Sequence, residues 1–554
     1  MGRNYDHLSH QELISLLQAR DRRDATKFGL VWEANEIERD KALNGDFVAL
    51  DLDTSLSCPS GVNGAPWKNL IIEGDNFDAL RYLNMSFKGR VKCIYIDPPY
   101  NTGNKDFVYN DHFVEKEDLW RHSTWCEFMY QRLTLAKDLL QEDGVIFVSI
   151  DDNEMASLRL LMDRVFGERN FVASIVWQKR YSTPNDHKSI APLHDYILAY
   201  QGHGKWERNL LPRGEEKDRQ YRLEDEKGIF RSDNYTCNKS ADERPTLYYP
   251  VIQPNTGEEI WPKKTAVWRY SPERHQENIE NGLVYWGKEG LGKVPAYKRY
   301  KHMLRNDGGV IPSTWWTFEE AGHNDEAKKE LMAVLWEQER SFSTPKPTRL
   351  IERILQIATK PDDLVLDFFA GSGTTAHAVA KLNKADGGNR RFILVSSTEA
   401  TTENPDKNLC RDVCAERVRR VISGYKNAKG EAIEGLGGDF AYLRTRTIPP
   451  SAILDIEHDQ VWTALQLIHR PTLTPYASQP FLVAEGAEDE EGALIYVPSF
   501  EKELIPSLRE AVNRHASVIV YSWQPGLLRQ HLRSPHVQHE AIPEALLRRF
   551  GLKS

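Results

Sequence analysis

Four consecutive residues, Asp97-Pro98-Pro99-Tyr100, close the apolar run CIYI in the stretch CIYIDPPYNTGNKDF. They set a carboxylate that can accept hydrogen bonds beside two prolines that stiffen the turn, and beside a ring with a broad flat face. The purely structural reading is a strand end broken by prolines. A second constellation lies in VLDFFAGSGTTAHAV, where a strand ends on Asp367, the chain turns through Gly371 and Gly373, and a helix opens at Thr374 and Thr375. Glycines let a backbone approach a ligand, and a helix amino terminus offers unpaired N–H groups. The alternative is a glycine turn that packs a strand on a helix. Ala376 follows Thr375, so the pyrophosphate fingerprint GxGxxG is not completed, which argues against a dinucleotide.

These two stretches need a scaffold, and the pattern around them supplies one. From Asn69 short apolar runs (NLIIEGD, KCIYIDPPY, GVIFVSIDD) alternate with helical ones (FDALRYLNMSF, WCEFMYQRLTLAKDLLQ, EMASLRLLMDRVF), the signature of a mostly parallel sheet covered on both faces. The alternation stops after VASIVWQKR and resumes at TRLIERILQIATKPDDLVLDFFAGSGTTAHAVAKL. We therefore expect a helical amino-terminal extension (residues 1–65), one half of an α/β domain (66–180), an insert (181–340), the other half (341–425) and a small α/β carboxyl-terminal domain (426–554).

DPPY together with FAGSGT resembles the amino-methyltransferases that use S-adenosylmethionine to methylate exocyclic amines of DNA bases. Further stretches (KFGLVWE, GDNFDAL, DGVIFVSIDDNE, HDYILAY, LVYWGKEG, TWWTFEEAGHN, TPKPTRLIERILQIA, RRFILVSSTEA) are similar to the modification subunits of type III restriction-modification systems. Because DPPY precedes FAGSGT, the order is that family's permuted, beta-group one. The resemblance implies a Rossmann-like methyltransferase fold whose insert is a target recognition domain. It also implies that Asp97 and the carbonyl of Pro98 accept the two hydrogens of the base amine, that Pro99 stiffens the turn, and that Tyr100 stacks on a base flipped out of the duplex. An amine whose lone pair is delocalised into the ring is a poor nucleophile, so two acceptors at fixed angles favour the pyramidal, attacking nitrogen. Asp at the first position of the catalytic word leans toward adenine, since relatives acting on cytosine more often carry Ser there.

For the cofactor, the resemblance places Asp367, Phe369, Ala370, Gly371, Gly373 and Thr374 around the methionine moiety. Asp75 and Asn76 of GDNF are set near the adenine ring, with Lys346 and Pro347 covering the methionine side. An acid should end the strand RRFILV to hold the ribose hydroxyls, and Ser396, Ser397 and Thr398 intervene before the candidate, Glu399. Asp75 has an alternative role as the amino-terminal cap of the next helix.

Within the insert, basic and aromatic residues interleave, and Lys263, Lys264, Arg269, Lys298, Arg299 and Lys301 are the candidate DNA contacts. An ordinary solvated face with a few core aromatics is the other reading. GKEGLGKV nearly spells a phosphate-binding loop, but Val294 stands where Ser or Thr would bind magnesium and Pro295 disfavours a following helix. A restriction partner would therefore bring its own motor and nuclease.

The net charge of −9 neither invites nor excludes nucleic acid, because contact depends on local patches. The six cysteines form no CxxC pair, so no metal site is expected. The amino terminus lacks a basic leader with an apolar run, and no stretch approaches the ~20 apolar residues of a membrane span, so a cytoplasmic location is expected. The expected function is transfer of a methyl group to adenine N6 in double-stranded DNA, by a homodimer able to recruit a helicase-nuclease restriction subunit. The alternatives are a cytosine N4-methyltransferase and a DNA-binding specificity subunit whose methyl transfer is vestigial.

Overall fold

The computed structural model describes residues 45–59, 66–103, 108–109, 112–113, 121–183, 189–214, 218–304, 309–337, 342, 344–401, 404–485 and 492–552. In chain order, the elements that build the site begin with β1 (Phe47–Cys58), β2 (Leu70–Glu73), α1 (Asn76–Phe87), β3 (Val91–Ile96) and α2 (Arg121–Leu139). They continue through β4 (Leu140–Ile150), α3 (Met155–Phe166), β5 (Phe171–Gln178) and β6 (His194–Gln201).

Residues Asn209–Pro312 form a compact unit of their own. Its four-stranded sheet contains β7 (Leu223–Asp225), β8 (Gly228–Asn234), β9 (Val284–Tyr285) and β10 (Ala296–Tyr300), in the order β9-β10-β8-β7. Tyr235, Val251, Trp268 and Trp286 make one apolar cluster in this unit, and Phe230, Leu283 and Tyr300 another.

The other unit resumes with β11 (Trp315–Trp316), α4 (Asn324–Val334), α5 (Thr348–Ala358), β12 (Leu364–Asp367), α6 (Thr374–Asp386), β13 (Arg391–Ser396), α7 (Glu416–Ser423), β14 (Phe440–Ile448) and α8 (His458–His469). Among the described residues its central sheet has ten strands in the order β1-β14-β2-β13-β12-β3-β4-β6-β5-β11. From β14 to β4 neighbouring strands are parallel, whereas β1 and β6 run antiparallel to their neighbours. Every residue of β3 and of β12 is buried, as a strand covered on both faces requires. Helix α5 buries Leu350, Ile351, Ile354, Leu355 and Ala358, a stripe at helical spacing. β12 and β3 pair directly, Val365 opposite Cys93 and Leu366 opposite Ile94. This register brings Asp367 and Asp97 to one carboxyl edge of the sheet, at the point where strand order turns back, where open α/β sheets bind ligands.

Three boundaries differ from the sequence reading. Residues 1–44 of the expected helical extension lie outside the described residues, and Phe47–Cys58 is a strand rather than a helix. Its alternation LDLDTSLS fits an edge position antiparallel to β14. Strands β6 and β11 fall inside residues 181–340, yet both belong to the central sheet, and the separate unit is confined to Asn209–Pro312. β14, inside residues 426–554, also joins that sheet. Beyond α8 a four-stranded mixed sheet follows, β15 (Leu482–Glu485), β16 (Gly492–Val497), β17 (Ser517–Ser522) and β18 (Val537–Ala541). Its Tyr496 and Tyr521 pack into the same core as the central sheet. Among the described residues no helix is long and apolar enough to cross a membrane, and no cluster of side chains could hold a metal ion.

Candidate active site

Asp97 leaves β3 at the sheet's carboxyl edge. Its Oδ2 accepts from the ammonium of Lys346 at 2.5 Å, while Oδ1 is buried without a hydrogen-bond partner. The Lys346 ammonium also lies 4.9 Å from the centre of the Tyr100 ring. Burial, reinforced by the charge of Asp97, pushes the Tyr100 hydroxyl well above its usual range.

The turn itself is held from behind. Trp125 of α2 donates its indole N–H to the Pro99 carbonyl at 2.7 Å. Asn101, next after Tyr100, sits at a φ of 57°, a left-handed conformation that Asn tolerates better than most residues. Its amide donates to Glu154 Oε1 at 2.6 Å, and His122 Nδ1 meets the same oxygen at 2.6 Å. Glu154 is itself buried, so the two bonds to its Oε1 anchor the turn after the prolines in the interior, while its Oε2 has no hydrogen-bond partner.

The second constellation faces the first. Asp367 Oδ1 accepts from the Phe369 backbone N–H at 3.0 Å and Oδ2 from the Thr375 hydroxyl at 2.5 Å. Gly371 and Gly373 have φ of +50° and +74°. A Cβ at Gly371 would come within 3.1 Å of the Phe342 ring, and one at Gly373 within 3.1 Å of the Cys414 carbonyl. Asn76 reaches across from α1 to donate to the Phe368 carbonyl at 3.0 Å, joining the GDNF turn to this loop.

Burial pushes the Asp367 carboxyl up to about 7, against the hydrogen bonds from Thr375 and Phe369, and the nearby Asp97 adds to the rise. The folded state therefore holds this proton more tightly than the unfolded chain does. Stability from this group is present below pH ~4 and is lost as pH rises toward ~7. Replacing Asp367 with Asn should make the variant gain on the parent with pH, by at most about 1.4 kcal/mol per unit between pH ~4 and ~7. Denaturant unfolding of both proteins at several pH values checks this, and a flat difference would refute it.

Several candidates take other partners. Asp75 caps α1, accepting from the Phe77 N–H at 2.7 Å, and pairs with Arg132 at 3.3 Å. Glu399, at a φ of 52°, is exposed and pairs with Lys407 at 2.7 Å. In the Asn209–Pro312 unit, Lys298 is held by Asp225 at 2.6 Å and Lys301 by Asp218 at 2.8 Å. Arg299 and Arg269 share Asp233, at 3.0 and 3.9 Å. Lys263 and Lys264 are exposed. The glycine-rich GKEGLGKV stretch links β9 to β10, with a strand where a phosphate-binding loop needs a helix.

Residues absent from the sequence reading complete the site. Arg417, fully buried in α7, donates to the hydroxyls of Thr374 at 2.8 Å and Ser372 at 3.1 Å, and reaches Glu330 at 3.4 Å. It also meets His377 Nδ1 at 3.2 Å, where burial and the guanidinium push the imidazole well below its usual range and keep it a neutral acceptor. Asp195 of β6 pairs with Lys179 at 2.5 Å, and burial raises its carboxyl against the pull of Lys179 and Lys346. Asn101 directly after DPPY was a visible turn signal. Arg417 and Asp195 carried no local signal.

A family model described as DNA methylase matches residues 91–399, more than half of the chain. The chain belongs to the DNA methylase family. The match spans both constellations and the whole segment between them. The methylase is 33% identical over 400 residues to the type II methyltransferase M.KpnI of Klebsiella pneumoniae, covering 65% of this chain and 89% of that one. It is 34% identical over 425 residues to the type III restriction-modification enzyme StyLTI Mod subunit of Salmonella typhimurium, covering 71% of this chain and 63% of that subunit. With the EcoP15I Mod subunit of Escherichia coli it shares 30% identity over 527 residues, covering 80% and 78%. The methylase thus spans less than two thirds of the StyLTI subunit's own length.

Proposed function

We propose that this chain is a site-specific DNA methyltransferase that transfers a methyl group from S-adenosylmethionine to the N6 amine of a flipped adenine. The observation that carries the reading is Asp97: a carboxylate with one oxygen buried and unpartnered, at the sheet's carboxyl edge beside the Asp367 glycine turn.

The residues present fit the cofactor. Gly371 and Gly373 adopt left-handed backbone that side-chain-bearing residues rarely take, which gives a tight turn of exposed backbone, and the amino terminus of α6 begins directly after them. On this reading Asp367, Phe369, Ala370, Thr374, Asp75 and Asn76 hold the cofactor at that turn and Pro347 covers it. S-adenosylmethionine, when bound, supplies an activated methyl group to the amine nitrogen. Asp97 Oδ1 and the Pro98 carbonyl accept the two amine hydrogens and thereby localise the lone pair on nitrogen. Tyr100 offers the face on which the flipped base restacks. Asp97 need not be a strong base, since nitrogen becomes strongly acidic as it gains the methyl group.

The names of the Mod-subunit relatives support a role as the modification and specificity subunit of a restriction system, paired with a restriction subunit, and a homodimer is part of the proposal that those names do not address. Arg269 and Arg299, grouped on Asp233, are the proposed DNA contacts, together with Lys263 and Lys264. Glu399 is the proposed acceptor for the ribose hydroxyls. Nucleoside analysis of duplex DNA incubated with the protein and S-adenosylmethionine tests the base: N6-methyladenine is expected, and N4-methylcytosine would establish the cytosine reading instead.

A further inference from the structure

Lys346 stands in Thr-Pro-Lys-Pro, a segment expected from sequence to cover the cofactor. Its ammonium instead binds Asp97 Oδ2 at 2.5 Å, and the residue is 9% exposed. The segment that carries it is tightly held. Pro345 and Pro347 fix the backbone on either side, and a Cβ at Gly322 would come within 2.8 Å of Pro347. The Thr348 N–H donates to Glu330 at 3.2 Å, and Arg417 reaches the Thr348 hydroxyl at 3.4 Å. Of the other buried carboxylates nearby, Asp195 has its own ammonium in Lys179 at 2.5 Å and Asp367 accepts from Thr375 and Phe369, which leaves Lys346 to Asp97. The result is a division of labour on one carboxylate, with Oδ2 taken and Oδ1 buried and unpartnered.

We propose that Lys346 is a positioning residue for methyl transfer, which anchors Asp97 through Oδ2 so that Oδ1 alone is presented to the target amine. An unanchored Asp side chain can rotate and offer either oxygen at many angles. A charge-assisted bond from a rigidly held lysine removes that freedom before the substrate arrives. The ammonium also stands over the Tyr100 ring and so ties the acceptor to the stacking face, fixing the base relative to the oxygen that receives its amine. This inference rests on the reading of Asp97 as the amine acceptor.

The test uses the full chain with its duplex DNA substrate and compares Lys346→Met, Lys346→Ala and the parent. Both variants should lose about 10- to 100-fold in kcat, the range expected for a displaced catalytic group. Cofactor Kd and DNA KM should stay within about threefold of the parent, since binding energy common to ground and transition states is untouched. Ethylammonium should restore part of the rate to Lys346→Ala but not to Lys346→Met, whose side chain fills the space. If cofactor affinity falls in step with the rate and no amine rescues, Lys346 covers the cofactor and the proposal is wrong. An unchanged kcat in Lys346→Met, the better-packed variant, also overturns it. If the parent transfers no methyl group while binding S-adenosylmethionine, the failure lies in the reading of the site rather than in Lys346.

Discussion

Asp97→Asn should lower kcat for methyl transfer by about 10³-fold, the loss seen when one electrostatic group is removed from a developing charge. Cofactor Kd should stay within about threefold, because the cofactor turn keeps its own partners. The substitution preserves shape but puts an amide where a carboxylate stood. Whichever way that amide turns, Lys346 loses its anion, and either Lys346 or the target amine meets an N–H donor where an oxygen stood. Asp97→Ala is the harsher change, since it leaves the buried Lys346 ammonium without its partner, and unpaired buried charge destabilises by about 3–5 kcal/mol. Stopped-time methyl incorporation and a cofactor titration on the Asn variant separate the two effects. Loss of cofactor binding in step with activity would make Asp97 a structural residue.

The second large effect is expected at Arg417, which touches no substrate. Arg417→Met should destabilise the fold by about 3 kcal/mol, the lower end for breaking a buried ion pair, because Glu330 keeps some contact with water. It should also weaken cofactor binding by about tenfold, equivalent to one hydrogen bond to charge, about 1.4 kcal/mol. The guanidinium organises four separate pieces at once: Ser372 and Thr374 of the glycine turn, His377 of α6, Glu330 of α4 and Thr348 at the start of α5. Its removal frees the two hydroxyls behind Gly373 and leaves the neutral His377 without its donor. Denaturant unfolding and a cofactor titration measure both quantities. A variant with parental stability would show that the network is incidental.

The comparison of sequence with structure divides along range of interaction. DPPY and FAGSGT were legible because each is local: a buried strand and a turn made by Pro or Gly, followed at FAGSGT directly by a helix start. Their meeting was legible too, since β3 and β12 are each apolar enough to be central parallel strands. Arg417 was not, because its partners lie far away along the chain and an arginine in an amphipathic helix reads as solvated. The expected insert overreached at β6 for a similar reason. HDYILAY lies between polar, turn-rich stretches, and only its antiparallel pairing with β4 and β5 reveals it as part of the central sheet. β1 was absorbed into a charged, helix-patterned neighbourhood although its own residues alternate. At Asp75 both readings had been open, and the side chain is in fact a helix cap.

The most direct test of the account is modified-base sequencing of DNA from cells that express this chain alone, set against cells that express Asp97→Asn. The account predicts N6-methyladenine at one sequence motif with the parent protein and none with the variant. Equal modification from both proteins, or modification confined to cytosine, would contradict it.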